Sequence, residues 1–80
     1  MDRIDILNYI NKVIKKERGK EVTEESMLAD SGIDSFSYAI FWLSLENKYG
    51  KFYDDELEKI PVSEIKIGQI IDKVVENVVE

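Results

Sequence analysis

Gly32-Ile33-Asp34-Ser35-Phe36 runs without a break into Ser37-Tyr38-Ala39-Ile40-Phe41-Trp42-Leu43-Ser44-Leu45-Glu46-Asn47-Lys48-Tyr49, and the run stops at Gly50. A polar loop therefore turns at Asp34 into a strongly apolar segment. Asp34 is a residue type that caps a helix N-terminus by accepting backbone N–H bonds, and Gly32 gives the loop before it access to positive φ. A helix is predicted from Ser35 to Tyr49. Ser35 falls in its first turn, where unpaired N–H groups and the positive end of the macrodipole favour a bound or covalently attached phosphate. These residues alone fit equally well an Asp cap followed by an incidental serine.

The apolar residues of this helix do not form a single stripe. Tyr38, Phe41, Trp42, Leu45 and Tyr49 lie on one side at the spacing of a core-facing surface. Phe36, Ile40 and Leu43 follow i, i+4, i+7 on another. A domain this small rarely buries both sides, so the second set is a candidate docking surface beside Ser35. The competing expectation is that it packs beneath the connection from Gly19 to Asp34.

Upstream, Ile6, Ile10, Val13 and Ile14, joined by Leu7, recur with helical spacing, predicting a first helix from about Asp2 to Arg18. Asp2 and Asp5 near its start and Lys12, Lys15, Lys16 and Arg18 near its end match the macrodipole, with Gly19 as the C-terminal stop. Gly19 to Asp34 reads as a long loop anchored by Val22, Met27 and Leu28, with a turn-like Thr23-Glu24-Glu25-Ser26. Downstream, Asp54 to Ile60 predicts one or two helical turns closed by Pro61. A last helix starts near Ile65 to Ile67, because Ile70/Ile71, Val74/Val75 and Val78/Val79 repeat every four residues. Gly68 weakens its first turn.

The chain has 80 residues, enough for one domain with a limited core, and it holds no Cys and no His. Disulfide frameworks, thiolate metal sites, and Ser-His or Cys-His catalysis are thereby excluded, leaving Ser35 without an obvious base. Asp30, Asp34, Asp54, Asp55, Glu56 and Glu58 lack EF-hand spacing and support weak counter-ion association at most. Net charge is −6, which argues against nucleic-acid and anionic-membrane binding and favours a basic protein partner. No apolar stretch approaches the ~20 residues of a membrane span, and Met1-Asp2-Arg3-Ile4-Asp5 lacks the features of a secretory leader. A cytoplasmic monomer without stable membrane insertion is the expectation.

Leu28-Ala29-Asp30-Ser31-Gly32-Ile33-Asp34-Ser35-Phe36, the apolar helix after it and Asp54-Asp55-Glu56-Leu57-Glu58-Lys59-Ile60 together resemble the acyl carrier proteins over nearly the whole chain. In that family the Ser of an Asp-Ser-Leu motif carries 4′-phosphopantetheine. The resemblance places that arm on Ser35, with Asp34 shaping the helix start and Phe36 standing for the usual Leu. It implies an all-α bundle of four helices, three longer and a short third one. The implied role is to hold acyl groups as thioesters on an arm derived from coenzyme A, for fatty-acid or specialised acyl or polyketide biosynthesis. Implied partners are a phosphopantetheinyl transferase and acyl-processing or acyl-transferring enzymes, meeting Phe36, Ile40, Leu43 and Glu46.

Two departures qualify this expectation. Fatty-acid carriers hold several acidic residues along the second helix, whereas here Glu46 is the one acidic residue after Asp34, so apolar contact should carry more of the recognition. Pro61-Val62-Ser63-Glu64 lengthens the junction before the last helix. Trp42, Phe41 and Tyr38 are expected in the core, on the side that lines the acyl space in such carriers. The alternatives are an aminoacyl or peptidyl carrier, and a helical interaction module with no prosthetic group, in which Phe36, Ile40 and Leu43 grip a partner helix.

Overall fold

The predicted apolar spacing of the first helix is realised with Ile6, Ile10, Val13 and Ile14 all buried in α1, Arg3–Lys16. The computed structural model describes residues 2–52 and 55–78. Among these residues the remaining helices are α2, Ser35–Tyr49, α3, Asp55–Lys59, and α4, Ile67–Val78, with 3-10 turns at Leu28–Ser31 and Val62–Glu64. The fold is an all-α bundle of three longer helices and one short one. Asp54 and Val79, expected in the third and fourth helices, lie outside the described residues, as does the side chain of Val78.

One core joins every helix. Phe41, Leu45 and Tyr49 of α2, Leu57 of α3 and Ile70, Ile71 and Val74 of α4 close over the buried stripe of α1. Tyr38 and Trp42 are partly buried against it. Removing each of the larger aliphatic side chains from water contributes on the order of 1.5–3 kcal/mol, which compensates for the small number of residues available. Phe41 and Trp42 meet edge to face with ring centroids 5.2 Å apart, and Trp42 reaches Phe52 at 6.2 Å. The four-residue repeat of α4 thus outweighs the β-propensity of its Ile and Val.

Helix α1 ends earlier than the charge pattern suggests, at Lys16 with Glu17 as its cap. The residue that takes the left-handed conformation is Arg18, at φ 67°, not Gly19. Arg18 N–H donates to Lys15 O at 3.0 Å and Gly19 N–H to Ile14 O at 2.8 Å, the paired bonds of a Schellman ending. Gly19 is required for a different reason. A Cβ there would stand 2.5 Å from Ile14 Cγ2, 2.7 Å from the Ser31 carbonyl oxygen and 2.8 Å from Ile33 Cγ2.

The connection from Gly19 to Asp34 is fastened more tightly than its sequence indicates. Val22, Leu28, Ser31 and Ile33 are buried, while Met27, expected as an anchor, is only half-buried. Asn11 of α1 holds both peptide groups of Val22. At the far end the connection pairs with the entry to α4: Leu28 N–H donates to Ile65 O, Ile67 N–H to Ser26 O and Gly68 N–H to Glu24 O, at 2.8 to 2.9 Å. These bonds take up amides that a helix start leaves open. Gln69 Oε1 accepts the Lys66 N–H at 2.8 Å, half of a capping box. Gly68 is therefore more than a weak point, since a Cβ would stand 3.0 Å from Glu24 O.

Arg3 closes this seam. Its guanidinium donates to Glu24 at 2.6 Å and to Asp72 at 2.7 Å, and hydrogen bonding first to Glu24 and then to Asp72 raises its pKa beyond the ordinary arginine value. These groups are 36–57% exposed, so each pair is worth at most about 1 kcal/mol. Beside Asp72, Lys73 of α4 pairs with Glu56 of α3. Among the described residues no helix is long and apolar enough to cross a membrane.

Candidate functional site

Asp34 caps α2 as its residue type requires. Its backbone is extended, at φ −92° and ψ 178°, and its Oδ1 accepts the Ser37 N–H at 3.0 Å. Gly32 turns the chain at φ 83°, where residues with a Cβ are strained. Ser35 is the first residue of α2 and is exposed. The amides of Ser35 and Phe36, at the first two helical positions, have no intrahelical acceptor and make the start of α2 its positive end.

Three serines cluster here, and the fold separates them. Ser31 is fully buried and its hydroxyl donates to Leu28 O at 2.7 Å. Ser37 is 9% exposed and its hydroxyl donates to Glu17 Oε1 at 3.0 Å. Ser35 alone of the three is exposed. The sequence does not disclose the roles of Ser31, Ser37 and Glu17, since nothing in their spacing distinguishes one serine from the next or marks Glu17 among its charged neighbours.

Phe36, Ile40 and Leu43 follow Ser35 along the outer side of α2 with relative exposures of 87%, 47% and 61%. The connection from Gly19 to Asp34 does not cover them; its apolar residue nearest Asp34, Ile33, turns into the core instead. Glu46, one turn beyond Leu43, is half-buried. The uncharged face therefore runs from the Ser35 end of α2 through Leu43.

Near the opposite end of α2, Tyr9 and Tyr49 meet edge to face at 5.7 Å, and Lys48 lies 5.0 Å above the Tyr9 ring. They floor an open groove of about 450 Å³ shared with Asp5, Asn8 and Lys12. Burial, assisted by the neighbouring Tyr9 and Asp5, raises the Tyr49 pKa above its ordinary value. Among the described residues, His, Cys, Asp and Glu nowhere gather in threes suited to a metal ion. Asp30, Asp34, Asp55, Glu56 and Glu58 thus form no such cluster.

The class that these observations define is a small all-α bundle presenting one helix-start serine beside an uncharged apolar helix face. Comparison of the chain with family models, with curated proteins and with solved structures found no match in any of the three.

Proposed function

We propose that this domain is a carrier that takes a 4′-phosphopantetheine arm on Ser35 and holds acyl intermediates on it as thioesters. One observation carries the reading: of Ser31, Ser35 and Ser37, the serine that follows the Asp34 cap is the exposed one, and the other two hydroxyls are engaged inside the fold. Ser35 fits the arm because a phosphodiester there extends into solvent and lies at the positive end of α2. Once bound, the arm supplies the thiol that bears the acyl group.

The chain's own residues present and orient the attachment point. A phosphopantetheinyl transferase joins Ser35 Oγ to the phosphorus of coenzyme A; the pyrophosphate bond breaks, adenosine 3′,5′-bisphosphate leaves with the electron pair, and the hydroxyl proton passes to the transferase. Asp34 fixes the helix start. Phe36, Ile40 and Leu43, with Glu46 beyond them, offer the transferase and acyl-transferring enzymes an apolar surface next to the reacting oxygen. Trp42, Phe41 and Tyr38 add aromatic bulk on the core side of α2, with Trp42 packed on Phe41 and Phe52; that bulk competes with a long acyl chain and favours short cargo.

Incubation with coenzyme A, magnesium and a permissive transferase is expected to add one phosphopantetheine mass, measured on the intact protein. Ser35→Ala abolishes the addition and keeps the helical circular dichroism. Modification of the Ser35→Ala chain, or refusal of the folded wild type by several transferases, rejects the carrier reading in favour of an interaction module built on the same apolar face.

A further inference from the structure

We infer that Glu17 is a positioning residue for Ser35, acting through Ser37; this inference rests on the carrier reading of Ser35. The segment from Ser31 to Ser37 is an arch whose two feet stand on one short stretch at the end of α1. At the first foot Lys20 N–H donates to Ser31 O at 2.7 Å. At the second, Glu17 Oε1 accepts from Ser37 Oγ at 3.0 Å. Between the feet the chain bends at Gly32, buries Ile33 and presents Asp34 and Ser35 outward.

The stretch that bears both feet is itself fixed. Residues 17–19 make the bonds that end α1, to the carbonyls of Val13, Ile14 and Lys15, and Gly19 sits where no side chain fits. The Asp34 cap cannot supply the same constraint. Asp34 and the amide it binds belong to one helix start, so they move together when the first turn of α2 moves. Glu17 comes from another element, and its bond to a nearly buried hydroxyl ties that turn to the body of the domain. A hydrogen bond to a charged acceptor is among the stronger ones available for this purpose.

For attachment, the Ser35 oxygen must be held in line with the bond that breaks, and loss of orientation by about 1 Å can lower a rate on the order of a hundredfold. The tie bears on orientation and leaves the apolar face in place. Its removal should therefore lower kcat for loading more than it raises KM. Glu17→Gln preserves an oxygen that accepts the Ser37 hydroxyl, whereas Glu17→Ala does not, so the conservative variant separates the tie from the charge.

The test combines amide hydrogen exchange on the unloaded chain with transferase kinetics, for wild type, Glu17→Ala, Glu17→Gln and Ser37→Ala, the last cutting the same bond from its other side. Faster exchange at Tyr38 and at the neighbouring amides of the first turn of α2, relative to the intrinsic rate of each sequence, is expected in both alanine variants. A fall in kcat on the order of tenfold with a nearly constant KM should accompany it, and Glu17→Gln should recover most of both. Unchanged exchange in the alanine variants overturns the tie. Faster exchange with unchanged kcat overturns the positioning role alone, since the loaded wild type still upholds the carrier reading. A folded wild type that takes no arm overturns both.

Discussion

Asn11 binds both peptide groups of Val22: its Oδ1 accepts the Val22 N–H at 2.7 Å and its Nδ2 donates to the Val22 carbonyl at 3.0 Å. One side chain of α1 thus stands in for a neighbouring strand where the following connection enters the core. Asn11→Ala strands both groups beside a buried Val22, and a destabilisation of about 1–3 kcal/mol is expected. Asn11→Asp keeps the acceptor and loses the donor, so it should fall between. Urea unfolding of the three proteins measures the order.

Gly19 and Gly32 should respond differently to alanine. At Gly19 the new Cβ meets a backbone oxygen and two core methyl groups at 2.5–2.8 Å, and overpacking of this kind costs about 1–3 kcal/mol. At Gly32 the nearest atom is Lys20 Cε at 3.8 Å, so the cost is the left-handed backbone alone, about 1 kcal/mol. Equal unfolding midpoints for the two variants would contradict the close approach of α1's end to the arch.

Alkaline stability should depend on Tyr49. Burial raises its pKa in the folded chain, while the unfolded chain ionises at the ordinary value of 10.0. The contribution is complete below the ordinary value and is lost as pH rises through it towards the raised folded value. Wild type should therefore lose stability more steeply than Tyr49→Phe above about pH 10. Urea midpoints collected across that range, with phenolate absorbance as a second probe, give the comparison.

The exposed face of α2 should contribute to partners and not to the fold. Ile40→Glu is expected to change unfolding free energy by no more than about 0.5 kcal/mol, because Ile40 has little packing to lose. Binding to a transferase or acyl-transferring enzyme should weaken, with a shallow dependence on salt for the wild type. Titration at two ionic strengths checks both statements. An unchanged affinity would remove this face from the docking surface.

The bounds of α2 were legible because each end has a local cause: Asp34 caps the start and Gly50, at φ 87°, accepts the stop. The exposure of Phe36, Ile40 and Leu43 followed from their spacing together with the small size of the domain, against the competing expectation of burial beneath the connection from Gly19 to Asp34. What periodicity could not disclose were contacts between distant segments. Arg18 takes the left-handed position expected of Gly19 because Gly19 is needed for a close approach to Ser31 and Ile33. Gly68 weakens a helix start in isolation, yet its bare backbone accommodates the Glu24 carbonyl. Likewise Ser31, Ser35 and Ser37 are equivalent as letters, and only tertiary burial singles out one of them.

The backbone seam between residues 24–28 and 65–68 has a kinetic consequence. Its partners are separated by about forty residues of chain, so forming it closes a large loop whose entropy must be met before any of its bonds contributes. Helices α1 and α2 depend on local bonds and can gather first, and the segment from Ser31 to Ser37 is fastened to the end of α1, whereas residues 24–28 acquire their final pairing when α4 docks. The stretch between α1 and α2 is thus completed in two stages, the part that bears Ser35 with the nearby helices and the part around Glu24 to Leu28 with the more distant one.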